Sequence, residues 1–387
     1  LKNPGDSQFI DLSSNSDNKK GSDMASRRQF IKRGALAVNG IVMVGCGVHS
    51  PVRAPQAGTA PRAPLVLNGA PVRTVDVHAH CMIPQALALM GLDVFAIYPK
   101  TMHGGRENVV VISERLAAMD AQGVDMEVLS INPFWYEQAR ELSARIVRLQ
   151  NDKLAELCAA RPDRFAAFAS LSLQHPDLAV QELEYAVNVL RLRGAAIGGN
   201  VAGADFADPR FHPVWAKAEE LGATLFIHPT GTPELARRFA GNGWMPNVIG
   251  YPLETTIALQ HLIFEGVLDK FPALKICSAH GGGYIATSAA RMDHGCFVNP
   301  GACAHGPVLK KKPSQYVNQL FFDSLVFTPQ ALANLVRQVG VSQVMLGSDH
   351  PFPWSAKPVQ HVLDTPELSD ADKAAVLGGN ARRVLGL

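Results

Sequence analysis

The sequence carries almost no excess of charge of either sign: 36 basic residues face 34 acidic ones, for a formal net charge of +2. So even a balance lacks the electrostatic footprint of nucleic-acid binding, and no nucleic-acid partner is expected. Cysteine patterning is also missing. Cys46, Cys81, Cys158, Cys277, Cys296 and Cys303 contain no C-x-x-C pair, so neither a disulfide framework nor a cysteine-rich zinc site is readable, and free thiols are expected. From residue 70 onward there is no repeat unit and no low-complexity tract. What is present is 47% hydrophobic and 18% charged residues in a chain of 387, too apolar for disorder. That length fits one large domain with an appended segment, and single (β/α) barrels reach this size.

The N-terminal segment reads as an address. Residues 1–23 open with Leu1 and are polar and patternless, as expected of a leader that is not native. Residues 24–69 then divide into signal and linker. Ser26-Arg27-Arg28-Gln29-Phe30-Ile31-Lys32 resembles a twin-arginine export signal, and the mildly apolar run from Gly34 to Val48 is too short and interrupted to be a permanent membrane anchor. Export to the periplasm is the expectation, with membrane contact only in transit or through a lipid anchor at Cys46 in Met43-Val44-Gly45-Cys46. Ala54-Pro55-Gln56-Ala57 is the alternative cleavage site of a soluble protein. Residues 47–69, rich in Pro, Ala and Gly, read as linker.

Over 70–387 apolar strand-like runs alternate with amphipathic helical stretches. Strands are expected at Thr74–His78, Met126–Ile131, Phe165–Leu171, Ala195–Val201, Thr224–His228, Leu274–Ser278, Leu320–Asp323 and Val344–Gly347. Crossover helices are expected at Gln138–Ala160, Pro176–Leu192, Pro209–Leu221 and Leu253–Phe271. Continuous apolar strands suit a sheet buried on both faces, so the expected fold class is α/β, a (β/α)8 TIM-type barrel. The competing fold, an open doubly wound sheet, wants a glycine-rich phosphate turn after its first strand, where this chain has a histidine pair.

The chemistry sits at four strand ends. The first closes in Asp76-Val77-His78-Ala79-His80, and alternation along a strand points both imidazoles to one face, spaced to grip one ion. The fifth delivers His228, the sixth His280 before Gly281-Gly282-Gly283, and the eighth Asp349 in Gly347-Ser348-Asp349-His350-Pro351. Any one of these is also compatible with a satisfied core histidine or a capping aspartate. Four imidazoles and a carboxylate, all at the carboxyl rim of a barrel, point instead to zinc or a related divalent ion, with a fourth histidine left to move protons.

These residues resemble those of the metal-dependent amidohydrolase superfamily, in its aminocarboxymuconate-semialdehyde decarboxylase branch. The resemblance spans 72–387 and includes Leu253-Glu254-Thr255-Thr256, Phe271-Pro272-Ala273-Leu274-Lys275, Ala279-His280-Gly281-Gly282-Gly283 and Gly379-Asn380-Ala381-Arg382-Arg383. It implies His78, His80, His228 and Asp349 as ligands of one Zn2+, with His280 as catalytic acid and base on the metal-bound water. It implies further that Arg291, eleven residues beyond His280, reaches across a homodimer interface to grip a substrate carboxylate. Two positions depart from the family pattern. His103 occupies the place of a second arginine, for which nearby Arg106 is the candidate substitute, and Thr230 replaces a tryptophan after His228-Pro229. The implied activity is a carboxy-lyase acting on a small unsaturated or aromatic carboxylic acid. The competing readings are a metal-dependent hydrolase of an ester, lactone or amide, and an exported metal- or ligand-binding protein without catalysis. Specificity is expected to reside in residues 81–111 and 231–251.

Overall fold

Eight short strands build a parallel barrel in the computed structural model, which describes residues 63–93, 112–303 and 306–387. A hairpin precedes it: β1 (Leu65–Leu67) pairs antiparallel with β2 (Ala70–Val72). Asn68 and Gly69 turn the chain between them with φ of 50° and 75°, the two positive angles of the tightest hairpin turn. This corrects the expected boundary at residue 70, since Leu65–Leu67, assigned to the linker, is already strand. A Pro/Ala-rich composition hid three residues whose pairing partner lies just beyond the turn.

The barrel strands are β3 (Val75–His80), β4 (Met126–Ser130), β5 (Phe165–Ala167), β6 (Gly194–Ile197), β7 (Thr224–Ile227), β8 (Lys275–Ser278), β9 (Phe321–Asp323) and β10 (Val344–Met345). They pair as a three-stranded sheet β3-β4-β5 and a five-stranded sheet running from β10 to β6, every pair parallel. Both seams are stitched: Ala169 bridges to Ala195, and Ala79 to His350. Backbone bonds from Val77 N to Leu346 O at 2.9 Å and from Asp349 N to His78 O at 2.8 Å complete the second closure. The expected barrel is therefore the observed fold.

Crossover helices follow as α1 (Ile112–Gln122), α2 (Arg140–Ala160), α3 (Pro176–Asn188), α4 (His212–Leu221), α5 (Tyr251–Phe264), α6 (Ile285–Val298), α7 (Pro329–Val339) and α8 (Asn380–Leu385). The helix expected over Leu253–Phe271 stops at Phe264. Gly266, at φ 71°, takes a left-handed conformation that breaks it before a separate turn at Val267–Lys270.

Two apolar clusters divide alternate strand positions. Leu225 and Ile227 pack outward with helix residues such as Leu259 and Leu262, whereas Phe226 packs with Val128, Ala196, Cys277 and Met345, all from strands. His228, two residues beyond Phe226, continues the inward set.

The thiol expectation is corrected in one place. Cys296 and Cys303 form a disulfide with Cα atoms 5.5 Å apart, because the chain turns back just past the end of α6. No spacing rule signals a bond between two cysteines seven residues apart. Cys81, Cys158 and Cys277 are free. The segment expected to be an export signal, Cys46, His103 and Arg106 lie outside the described residues. Among the described residues no helix is long and apolar enough to cross a membrane.

Candidate metal centre

β3 presents His78 and His80, β7 leads directly into His228, and the segment after β10 supplies Asp349. One donor atom from each lies within 4.8 Å of the others, close enough to hold a single metal ion. His78 Nε2 is 3.0 Å from Asp349 Oδ1, and His80 Nε2 is 2.9 Å from the same oxygen. The far nitrogens are held from behind. His78 Nδ1 meets Asp323 Oδ2 at 2.5 Å, His80 Nδ1 meets Ser130 Oγ at 2.9 Å, and Pro229 O lies 2.9 Å from His228 Nδ1. Partners on the Nδ1 side turn each Nε2 lone pair toward the cluster, the arrangement metal-binding imidazoles require.

Asp349 has φ 63° and His280 φ 57°, both in the left-handed region that residues other than glycine seldom enter. Each is held there. Ser348 Oγ donates to buried Asp76, and Asp76 Oδ1 accepts from His78 N at 2.9 Å and Ser348 N at 3.2 Å, tying the two rim segments together. Beyond His280, Gly281, Gly282 and Gly283 all have positive φ. A β-carbon on Gly283 would lie 2.1 Å from Pro252 O, so the expected sharp turn also requires glycine for space.

Electrostatics favour a cation where the donors meet. Burial pushes the His80 imidazole down to about 4. Burial and the neighbouring imidazoles of His80 and His78 hold His228 well below its usual range. Burial opposes charge on Asp349 too, yet the imidazoles of His78, His280 and His80 around it hold it well below the carboxylate range. Against the same burial cost, Asp349 and Asp323 raise His78 to about 10, so the two carboxylates draw positive charge to this spot. His228 Nε2 is buried and hydrogen-bonds no described residue. Three imidazoles and a carboxylate with an unpartnered buried nitrogen fit a divalent ion.

His280 stands beside this group, its Nε2 3.7 Å from Asp349 Oδ2. A cavity of about 320 Å³ opens above, reaching His80, His228 and Asp349. Its walls include Phe134, Tyr251, Phe352 and the stacked pair Trp244 and Trp354, with ring centroids 5.3 Å apart. Thr230, where the family pattern has tryptophan, also lines it. Arg291 does not: it is exposed on α6 and makes no hydrogen bond or ion pair with a described residue.

Several residues that build the site escaped sequence reasoning. Asp323 supports His78. Glu127, between Arg115 Nη1 at 2.5 Å and His350 Nδ1 at 2.7 Å, braces the opposite side, where Arg115 also donates to His80 O. Glu254 accepts from Thr230 N at 2.8 Å, from Gly231 N and from Asn200 Nδ2 at 2.8 Å, fixing the loop after His228. The signals in the sequence are weak: Glu254 lies within Leu253-Glu254-Thr255-Thr256, and Asp323 closes an expected strand.

A closed parallel barrel with such a donor group at its carboxyl rim defines a metal-dependent barrel enzyme. The chain belongs to the amidohydrolase family, whose model matches residues 75–387, and within it is similar to decarboxylases. It is 36% identical over 279 residues to 2-amino-3-carboxymuconate-6-semialdehyde decarboxylase of Dictyostelium discoideum, covering 70% of this chain and 76% of that one. The 5-carboxyvanillate decarboxylase of Sphingomonas paucimobilis superposes with a TM-score of 0.72 at 30% identity, over 82% of this chain and 99% of that one. A dihydroxybenzoic acid decarboxylase from Polaromonas sp. JS666, with bound manganese and the inhibitor 2-nitroresorcinol, superposes with a TM-score of 0.69 at 25% identity, over 82% and 97% of the two chains.

Proposed function

We propose that this protein is a divalent-metal-dependent carboxy-lyase that removes CO2 from a small aromatic carboxylic acid. The observation that carries the reading is the convergence of His78, His80, His228 and Asp349, the last three of them lining a cavity walled by aromatic rings. In this reading those four residues hold the ion, which supplies Lewis-acid polarisation of substrate oxygens when bound. The donor set suits zinc, and the manganese of the Polaromonas relative makes manganese the second candidate.

The chain's own residues do the rest. Phe352 and the Trp244/Trp354 pair receive the ring and exclude water from it. His280 carries the proton: it delivers it to the ring carbon that bears the carboxylate, the bond from that carbon to the carboxylate breaks, CO2 leaves, and the bonding pair restores the aromatic ring. Arg291, exposed and without a hydrogen-bond or ion-pair partner among the described residues, serves the carboxylate of a substrate bound in the second subunit of a homodimer.

The test is a panel of hydroxylated benzoic acids, including 2,6-dihydroxybenzoate and 5-carboxyvanillate, offered to protein loaded with zinc or manganese. Release of CO2, with one deuterium entering the vacated carbon in D2O, supports the reading. Turnover of esters, lactones or amides without CO2 release from any acid overturns it.

A further inference from the structure

Asp323 ends β9, is fully buried, and is not one of the gathered donors. Its two oxygens nevertheless serve four donors. Oδ2 meets His78 Nδ1 at 2.5 Å and accepts from the His280 backbone N–H at 2.9 Å. Oδ1 accepts from the backbone N–H groups of Gly281 at 2.7 Å and Leu325 at 3.1 Å. About four acceptor directions are all a carboxylate has, so none is spare.

We propose that Asp323 is a positioning residue that sets the metal ligand and the proton carrier with one carboxylate, an inference that rests on the function proposed above. Accepting the Nδ1–H of His78 fixes that ring's tautomer and leaves its Nε2 lone pair facing Asp349 and His80, each 3.0 Å away. The other bonds hold the turn that aims His280. His280 and Gly281 have φ of 57° and 60°, and a histidine stays in that region only where its surroundings impose it. The Gly347 backbone packs against this side chain so closely that a β-carbon there would lie 2.6 Å from Asp323 Cβ.

Asp323→Asn keeps the shape and replaces one acceptor with an NH2 donor. Whichever way the amide turns, two of the four N–H groups face another donor. With the nitrogen toward His78, the ring must switch tautomer and lose the Nε2 lone pair. With it toward Gly281 and Leu325, the turn bearing His280 moves. The expected result is a loss of about 10- to 100-fold in zinc affinity by chelator competition, or in kcat at saturating zinc with KM within about twofold. Introduced into His280→Ala, the same change should cost no further kcat, a non-additivity that a merely structural role does not produce. A folded Asp323→Asn variant within about twofold of wild type in both zinc affinity and kcat overturns the proposal. If that variant does not fold, 15N-histidine spectra of the zinc-loaded wild type decide: a protonated Nδ1 on His78 supports it, and a deprotonated Nδ1 overturns it. A wild type that binds zinc yet releases no CO2 refutes the functional reading while the affinity comparison still judges Asp323.

Discussion

Glu127→Gln isolates how much the barrel wall behind the metal centre depends on one buried charge. The change preserves shape and removes the anion that Arg115 Nη1 meets at 2.5 Å and His350 Nδ1 at 2.7 Å. Arg115, 1% exposed, cannot turn to water and loses the carboxylate that its Nη1 meets. Breaking a buried pair by removing one partner costs about 3 to 5 kcal/mol. For a domain of about 310 residues, with roughly 2.1 cal/mol/K of unfolding entropy per residue, that cost lowers Tm by about 5 to 8 °C. Thermal unfolding at pH 7 measures it, and metal content should fall as well, because Arg115 also holds the His80 carbonyl. The double variant Arg115→Met, Glu127→Leu should recover most of the loss, since apolar replacement removes both charges of the pair together. The pH dependence has a definite sign. Burial works to raise the Glu127 pKa, but Arg115 and His350 hold it below its ordinary value of 4.5. The unfolded chain therefore takes up the proton more readily, and the stabilisation is complete above about pH 4.5 and lost as pH falls through the folded value. The gap between wild type and Glu127→Gln should narrow in acid. A Glu127→Gln Tm within about 1 °C of wild type at pH 7 would refute the reasoning.

Asp349→Ala should lose its metal by elemental analysis, whereas His280→Ala should keep it and lose about 10²- to 10⁴-fold in turnover; metal loss in both would make His280 a ligand. Arg291→Ala should be severely impaired with metal intact, and subunit exchange with His280→Ala should restore part of the activity, because one site of the heterodimer then has neither defect. A mixture that stays inactive after proven exchange places Arg291 outside the partner's site. Changing Arg27 and Arg28 to Lys should hold the protein in the cytoplasm on fractionation, and unchanged periplasmic protein would remove the export reading.

The barrel and the five residues at its rim were legible in the sequence because both follow from short-range rules. Apolar runs separated by helix-length segments specify parallel strands, and a residue at a strand's carboxyl end lies at the mouth whichever neighbours that strand acquires. Thus His78, His80, His228, His280 and Asp349 could be named before any distance was known, and four of them prove to have donor atoms within 4.8 Å of one another. What holds them was not legible, because it acts across the barrel. His78 is set by a carboxylate 245 positions away, and His350 by one 223 positions away. Asp323 and Glu127 each look locally like an acid misplaced in an apolar strand. Only the closed barrel supplies the donors that make burying them tolerable, by trading water for four N–H groups around Asp323 and for a guanidinium and an imidazole around Glu127. Residue type and local period determined which groups this chain could bring to its rim, and tertiary contact alone decided which were oriented, charged and held there.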